Sequence, residues 1–296
     1  MAKLSFCILF LITTTASALA GNRIPVFVSI VPQKYFVQQI GKDLVDVQAM
    51  VRPGASPTTY APKPKQMARL TKTRIYFAIG VFFEKAWLKK IASVNPKMRV
   101  VQTQTGIDKI AMVTHYHPDE TSAPPNAQDA PDANHGLDPH IWLSPPLVRI
   151  QAHTIYTTLR EVDPTNKDIY EANYKDFVSR IDELHAQLKV TFEGKKGLGF
   201  MVFHPAWGYF ANTYGLKQIP IEIEGKVPKP GQLKTLIEHA REKNVKVIFV
   251  QPQFSTKSAG LVAKEIGGQV VFANPLSIDW IANLHEIALK FTAALK

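Results

Sequence analysis

The feature that most constrains this chain is a pattern that occurs twice. Short apolar runs rich in β-branched residues alternate with helically periodic stretches, first over residues 25–102 and again over residues 199–296. In the first half, runs at 25–31, 45–51, 75–79 and 99–102 read as buried strands, with helices at 33–42, 64–71 and 83–92 between them. Alternation of this kind builds a parallel sheet covered by helices. Between the two halves, Ile169, Tyr170, Phe177, Ile181, Leu184 and Leu188 recur at helical spacing, so 166–191 reads as one helix. At about 1.5 Å per residue it is long enough to cross the molecule. The expected fold is α/β: two parallel-sheet lobes, residues 21–165 and 194–296, joined by one long helix at 166–193, with a cleft between the lobes.

Residues 1–20 stand apart from this pattern. Lys3 is followed by an apolar run to Ile12 and by Ala18-Leu19-Ala20, a small-x-small cleavage site, so the segment reads as a secretory signal peptide. The run is short for a membrane anchor, and no later segment has the roughly 20 unbroken apolar residues of a membrane span. Cys7, inside that run after bulky Phe6, is poorly placed for lipid attachment, and it is the chain's one cysteine. The exported chain therefore has no thiolate, and any metal it binds must be held by nitrogen and oxygen. The formal charge of +11 raises the question of nucleic acid. Lys65, Arg69 and Lys72 share a helix face, but no basic run is interleaved with aromatics, and the protein reads as exported. The charge therefore reads as solvated helix faces that aid contact with a membrane or partner, not as a nucleic-acid site.

The stretch 114–139 breaks the alternation. It holds five acids, no Lys or Arg, and His115, His117 and His135. A long loop inside a compact domain is usually functional or disordered. It leads into Asp138-Pro139-His140-Ile141-Trp142-Leu143-Ser144-Pro145, where His140 precedes a helix start. His204 lies in Met201-Val202-Phe203-His204-Pro205-Ala206-Trp207, directly after a strand. That is where α/β sheets present polar residues to ligands. The remaining histidines, 153, 185, 239 and 285, lie within helices and read as packing or surface residues. Imidazoles gathered at one crevice point to a transition metal. No His-Glu-x-x-His helix, Gly-x-Ser-x-Gly elbow or phosphate loop is present to support an enzyme.

Taken in order, several segments resemble the metal-binding receptors of ABC importers, the group that includes the zinc receptor ZnuA and the manganese and zinc receptors related to TroA. The segments are Pro53-Gly54-Ala55-Ser56-Pro57 with Tyr60 and Pro62; Ile79-Gly80 followed by Phe83-Glu84-Lys85-Ala86-Trp87-Leu88; the two histidine motifs above; Tyr170 and Asn173; and Ile223-Glu224-Gly225-Lys226 with Pro228. The resemblance covers nearly the whole exported chain. It implies a metal bound between two lobes, with His140 and His204 as ligands, and delivery to a membrane permease. It also implies an acidic, histidine-bearing loop where 114–139 lies.

Two positions depart from the pattern. Thr58 stands where the family usually has histidine, and Asn274 stands where it often has aspartate. The site is then completed from elsewhere, or it binds more weakly or with different selectivity. The further candidates are His135, His115, His117, Glu222, Glu224, Asn274, Thr58 and water. Glu222 and Glu224 alternate with apolar residues on a strand, which reads first as a solvated face or a salt bridge.

The expectation is a periplasmic, monomeric, non-enzymatic receptor that is not a lipoprotein. Its cargo is Zn2+, with Mn2+ or Fe2+ as the alternative, and its partner is the permease of an ABC importer. A periplasmic chaperone or buffer that serves no importer is the other reading.

Overall fold

A computed structural model describes residues 23–113, 136–222 and 228–295. The expected signal peptide, His115, His117, His135 and Glu224 lie outside the described residues.

The first half runs β1 (Ile24–Val28), α1 (Val31–Gly41), β2 (Val45–Ala49), α2 (Pro64–Leu70), β3 (Ile75–Ala78), α3 (Phe82–Val94) and β4 (Arg99–Gln102). The strands pair in parallel in the order β2-β1-β3-β4. The two central strands carry continuous apolar runs because helices cover both faces, and all four residues of β3 are buried. The direction of travel fixes which helix covers which face. Right-handed crossovers place α1, which steps one way along the sheet, opposite α2 and α3, which both step the other way.

After the central loop come α4 (Pro145–Val162) and α5 (Lys167–Thr191). Asp163-Pro164 separates them, because proline cannot continue the ladder of α4. The Asp163 carboxylate accepts from Asn166 Nδ2 at 2.7 Å and from the Tyr170 hydroxyl at 2.8 Å, which fixes the entry to α5. The 25 residues of α5 span about 37 Å. Its buried stripe is Tyr170, Phe177, Ile181, Leu184 and Leu188, as the spacing predicts, whereas Ile169 is exposed. A residue next to a stripe in sequence sits about 100° from it on a helix, and Tyr170 takes the inward position. α1 packs against both α4 and α5, so α2 and α3 form the outer layer of this lobe.

The second half repeats the winding: β5 (Gly199–Val202), α6 (Gly208–Tyr214), β6 (Lys217–Pro220), α7 (Pro230–Glu242), β7 (Val247–Val250), α8 (Lys257–Glu265), β8 (Gln269–Phe272) and α9 (Trp280–Ala294). Its parallel strands lie in the order β6-β5-β7-β8.

Two tryptophans clasp the halves together. The Trp142 indole donates to the Pro275 carbonyl, and the Trp280 indole donates to the Trp142 carbonyl, each at 2.7 Å. Both rings are buried, so neither N–H is left without an acceptor. Tyr209 from α6 adds a third tie, its hydroxyl donating to the Asp138 carbonyl at 2.9 Å. Among the described residues no helix is long and apolar enough to cross a membrane.

Candidate metal centre

The segments that follow β2, β3, β5 and β7 meet at one cleft. This is the crevice at the carboxyl ends of parallel strands, where α/β proteins bind ligands. The cleft encloses about 380 Å3 including its open mouth. Val81, Phe82, Phe254, Pro275 and Leu276 make its walls largely apolar, and His140 and His204 both line it. Their ring centres are 5.3 Å apart at 71°.

Each imidazole is held by its own carboxylate. Asp138 Oδ1 accepts from the His140 backbone N–H at 2.8 Å and meets His140 Nδ1 at 2.7 Å. An aspartate bonding to the backbone two residues on is a local turn device, here put to work on the ring as well. The other oxygen, Oδ2, lies against Gly208 at the head of α6, where a Cβ would stand 2.7 Å away. On the opposite wall, Glu222 Oε1 meets His204 Nδ1 at 2.6 Å. Gln251 grips the His204 main chain at both ends: its Oε1 accepts from N–H at 3.2 Å, and its Nε2 donates to the carbonyl at 2.6 Å. The Phe254 ring stacks on the His204 ring at 4.9 Å and 26°.

These contacts settle the tautomers. An ionised carboxylate only accepts, so each contact places a proton on Nδ1, and the neutral form of each ring then carries its lone pair on Nε2. Burial holds the His140 imidazole below its usual pKa, against the opposite pull of Asp138 and the further lowering by His204. A neutral ring with its Nε2 lone pair free is the form that binds a metal.

The other expected residues fall as follows. Thr58 lines the same cleft, on the loop after β2, and its N–H donates to Ser56 Oγ at 3.2 Å. Asn274 is not among the lining residues. Its Oδ1 accepts from Leu276 N–H at 3.0 Å and from Gln253 Nε2 at 3.4 Å, closing a turn beside the cleft. Glu222 is neither on a strand nor solvated: β6 stops at Pro220, and Glu222 is buried against His204. Among the described residues no group of three or more His, Cys, Asp or Glu side chains forms a ready ligand set. Sequence reasoning missed Gln251 as a site residue and missed the partnership of Asp138 with His140. The available signal was Asp at i−2 from a histidine in a proline-bounded turn.

The sequence pattern of the family described as "ZnuA: Zinc-uptake complex component A periplasmic" matches residues 26–294. The "High-affinity zinc uptake system protein ZnuA" of Bacillus subtilis (strain 168) is 28% identical over 260 residues, covering 86% of this chain and 79% of that protein. A crystal structure of ZnuA aligns over 93% of this chain and 100% of its own with a TM-score of 0.84 and 40% identity. A ZnuA deletion mutant crystallised with zinc bound aligns over 93% and 99% with a TM-score of 0.82 and 40% identity.

Proposed function

The chain belongs to the family of periplasmic zinc-uptake components, and from that premise we propose that it is an extracytoplasmic receptor that captures Zn2+ between its lobes and delivers it to the permease of an ABC importer. His140 and His204 bind the cargo through Nε2. The observation that carries this reading is the pair of buried carboxylate–imidazole bonds, each made through Nδ1, in two histidines that line one cleft. Metal-ligating histidines nearly always donate their other N–H in this way.

The separation of the rings is compatible with the tetrahedral angles that zinc favours. For two Nε2 atoms aimed at one ion, with Zn–N bonds of about 2.0 Å and about 1.15 Å from ring centre to nitrogen, ring centres 5.3 Å apart correspond to an N–Zn–N angle of about 115°. That is close to tetrahedral. A linear two-coordinate ion would need centres about 6.3 Å apart by the same sum. Manganese favours oxygen-rich sets. Asp138 and Glu222 are committed to the imidazoles, which leaves little such oxygen on the described walls. The role is capture and release, with no catalytic step assigned to any residue.

The test is titration calorimetry with Zn2+ on the wild type and on His140→Ala and His204→Ala. The wild type should bind one ion in the cleft, and each variant should lose most of that affinity, because a two-imidazole site cannot spare a donor. Near-wild-type affinity in both variants would remove the cleft from consideration as the capture site.

A further inference from the structure

The positive charge of this protein is concentrated in one place. Residues 47–107 carry eleven Lys and Arg and a single acid, Glu84, so this segment holds a net ten of the chain's eleven formal positive charges. Glu84 does not offset them at the surface. It is 5% exposed, and its carboxylate accepts from the Ile79 and Gly80 N–H groups inside the lobe.

Of these bases, Arg99 pairs with Glu161 of α4 at 2.6 Å and Arg74 donates to the Val162 carbonyl at 2.8 Å, while others stand on the outer helical layer, α2 and α3, on the sheet face opposite α1. On α2 and just beyond it, Lys65, Arg69 and Lys72 are exposed, and on α3 Lys85, Lys89 and Lys90 are exposed. Spacings of four and three residues keep Lys65, Arg69 and Lys72 on one side, and a spacing of four does the same for Lys85 and Lys89, with Lys90 next to them, and the two helices contact each other. No carboxylate among the described residues pairs with any of these six. Trp87 is half-buried in the same layer, with Lys90 Nζ 4.8 Å from its ring centre. Phe82, at the head of α3, lines the cleft, so the layer begins at the cleft rim.

We propose that this outer layer of the N-terminal lobe is a docking face for the anionic phosphate headgroups of a lipid bilayer. The residue types select a membrane over an acidic protein. Protein interfaces are enriched in arginine and depleted in lysine, because a planar fork fixes geometry whereas a flexible, strongly hydrated ammonium does not. Here five of the six exposed bases are lysine. Lysines around one interfacial tryptophan match the diffuse attraction that an anionic bilayer exerts. The contact would restrict a metal receptor to the bilayer surface and turn its cleft rim toward it. The proposal rests on the extracytoplasmic reading above only for which leaflet is met.

The test is co-sedimentation of the purified protein with vesicles of one part phosphatidylglycerol to two parts phosphatidylcholine, and with pure phosphatidylcholine, at low and at physiological salt. A face variant carries Lys65→Gln, Lys85→Gln, Lys89→Gln and Lys90→Gln. A control with the same charge loss carries Lys234→Gln, Lys243→Gln, Lys257→Gln and Lys264→Gln on the other lobe. The wild type should partition onto the anionic vesicles only, and less so as salt rises. Each lysine near the surface contributes about fivefold, so the face variant should lose at least about a hundredfold at low salt while the control stays close to wild type. Three results would overturn the proposal: no wild-type partitioning, equal loss in face variant and control, or no loss in the face variant. Wild type that ignores vesicles, with metal uptake by cells lost in the face variant, would assign the face to a protein and also overturn it. Calorimetry with Zn2+ on the same samples separates this from capture, since a protein that binds zinc and ignores vesicles fails this proposal alone.

Discussion

Glu222→Gln is the sharpest probe of how the cleft binds its cargo. The substitution keeps the size and an acceptor oxygen but removes the charge opposite His204 Nδ1, at a contact of 2.6 Å between two buried side chains. An ion bound at Nε2 would lie about 7 Å from that carboxylate, summing an Nε2–Zn bond, the ring and the 2.6 Å hydrogen bond. Coulomb's law for a dication and a unit charge at that distance, with an effective dielectric of about 20, gives about 5 kcal/mol. That is an upper bound, because the metal-free imidazole dipole already uses part of the attraction. Outer carboxylates of this kind typically contribute 10- to 100-fold in metal affinity, or about 1.4–2.7 kcal/mol. Glu222→Gln should therefore weaken Zn2+ binding about 10- to 100-fold, read by competition against a chromophoric chelator, with the thermal melt of the metal-free protein little changed. Glu222→Leu should weaken binding further, because it leaves the buried Nδ1–H without an acceptor. Affinity within about twofold of wild type for both variants, well short of the expected tenfold, would refute the argument that the carboxylate orients and charges the imidazole.

Gly208→Ala would place a Cβ 2.7 Å from Asp138 Oδ2, and Asp138 cannot easily yield while it holds His140 by two bonds. The expected cost is about 1–3 kcal/mol of stability and about tenfold in zinc affinity, measured by melting and calorimetry; unchanged affinity would show that Asp138 does not position the ligand. Acid should also act on the metal-free protein through His140. The unfolded imidazole takes up its proton near pH 6.5 and the buried one at lower pH, so between the two the unfolded chain binds more protons. This contribution to stability is complete above that value and is lost as pH falls through the folded pKa. Melting temperature should drop on acidification, and His140→Gln should flatten the drop; a variant that keeps the full wild-type slope would contradict it.

The lobes were readable because burial writes itself into sequence. The runs ending at Val28 and Ala78 are apolar throughout because helices cover both sheet faces, and the Tyr170-to-Leu188 spacing follows from 3.6 residues per turn. His140 and His204 were readable as cleft residues because each sits where an element ends. The partners of His204 were not readable. Glu222 is eighteen residues from His204, and the alternation of Glu222 and Glu224 imitates a solvated strand. Only the end of β6 at Pro220 turns Glu222 inward. Gln251 is 47 residues from His204, and although it directly follows a strand as His204 does, its grip on the His204 main chain exists only once β5 and β7 lie side by side. The basic layer was half legible. The charge can be counted along the chain, but its gathering onto one outer face follows from crossover handedness, which no local spacing records.

Thr58 is one of the two positions where the chain departs from the ligand set the resemblance implies, and one substitution tests what that departure means. Thr58 lines the cleft with His140 and His204 and is itself exposed there, on a turn whose N–H is held by Ser56 Oγ. Its hydroxyl keeps its proton at neutral pH and is a weak neutral donor. Protein zinc sites use three or four strong donors, with water at an open position, and two imidazoles fall short of that. Either a histidine of the 114–139 loop completes the set, or water and a carboxylate do. Thr58→His would bring a third imidazole from the loop after β2 to the wall of the cleft that Thr58 lines. The donor gained should tighten Zn2+ binding by at least about tenfold, or 1.4 kcal/mol. In the Thr58→His background, replacing His115, His117 and His135 together should then cost nothing. In the wild-type background the same triple replacement discriminates the two completions: a large loss assigns the missing donor to the loop, and no loss assigns it to water. If Thr58→His leaves affinity unchanged and the triple replacement also changes nothing, position 58 does not face the metal, and the family's first ligand position has no counterpart in this cleft.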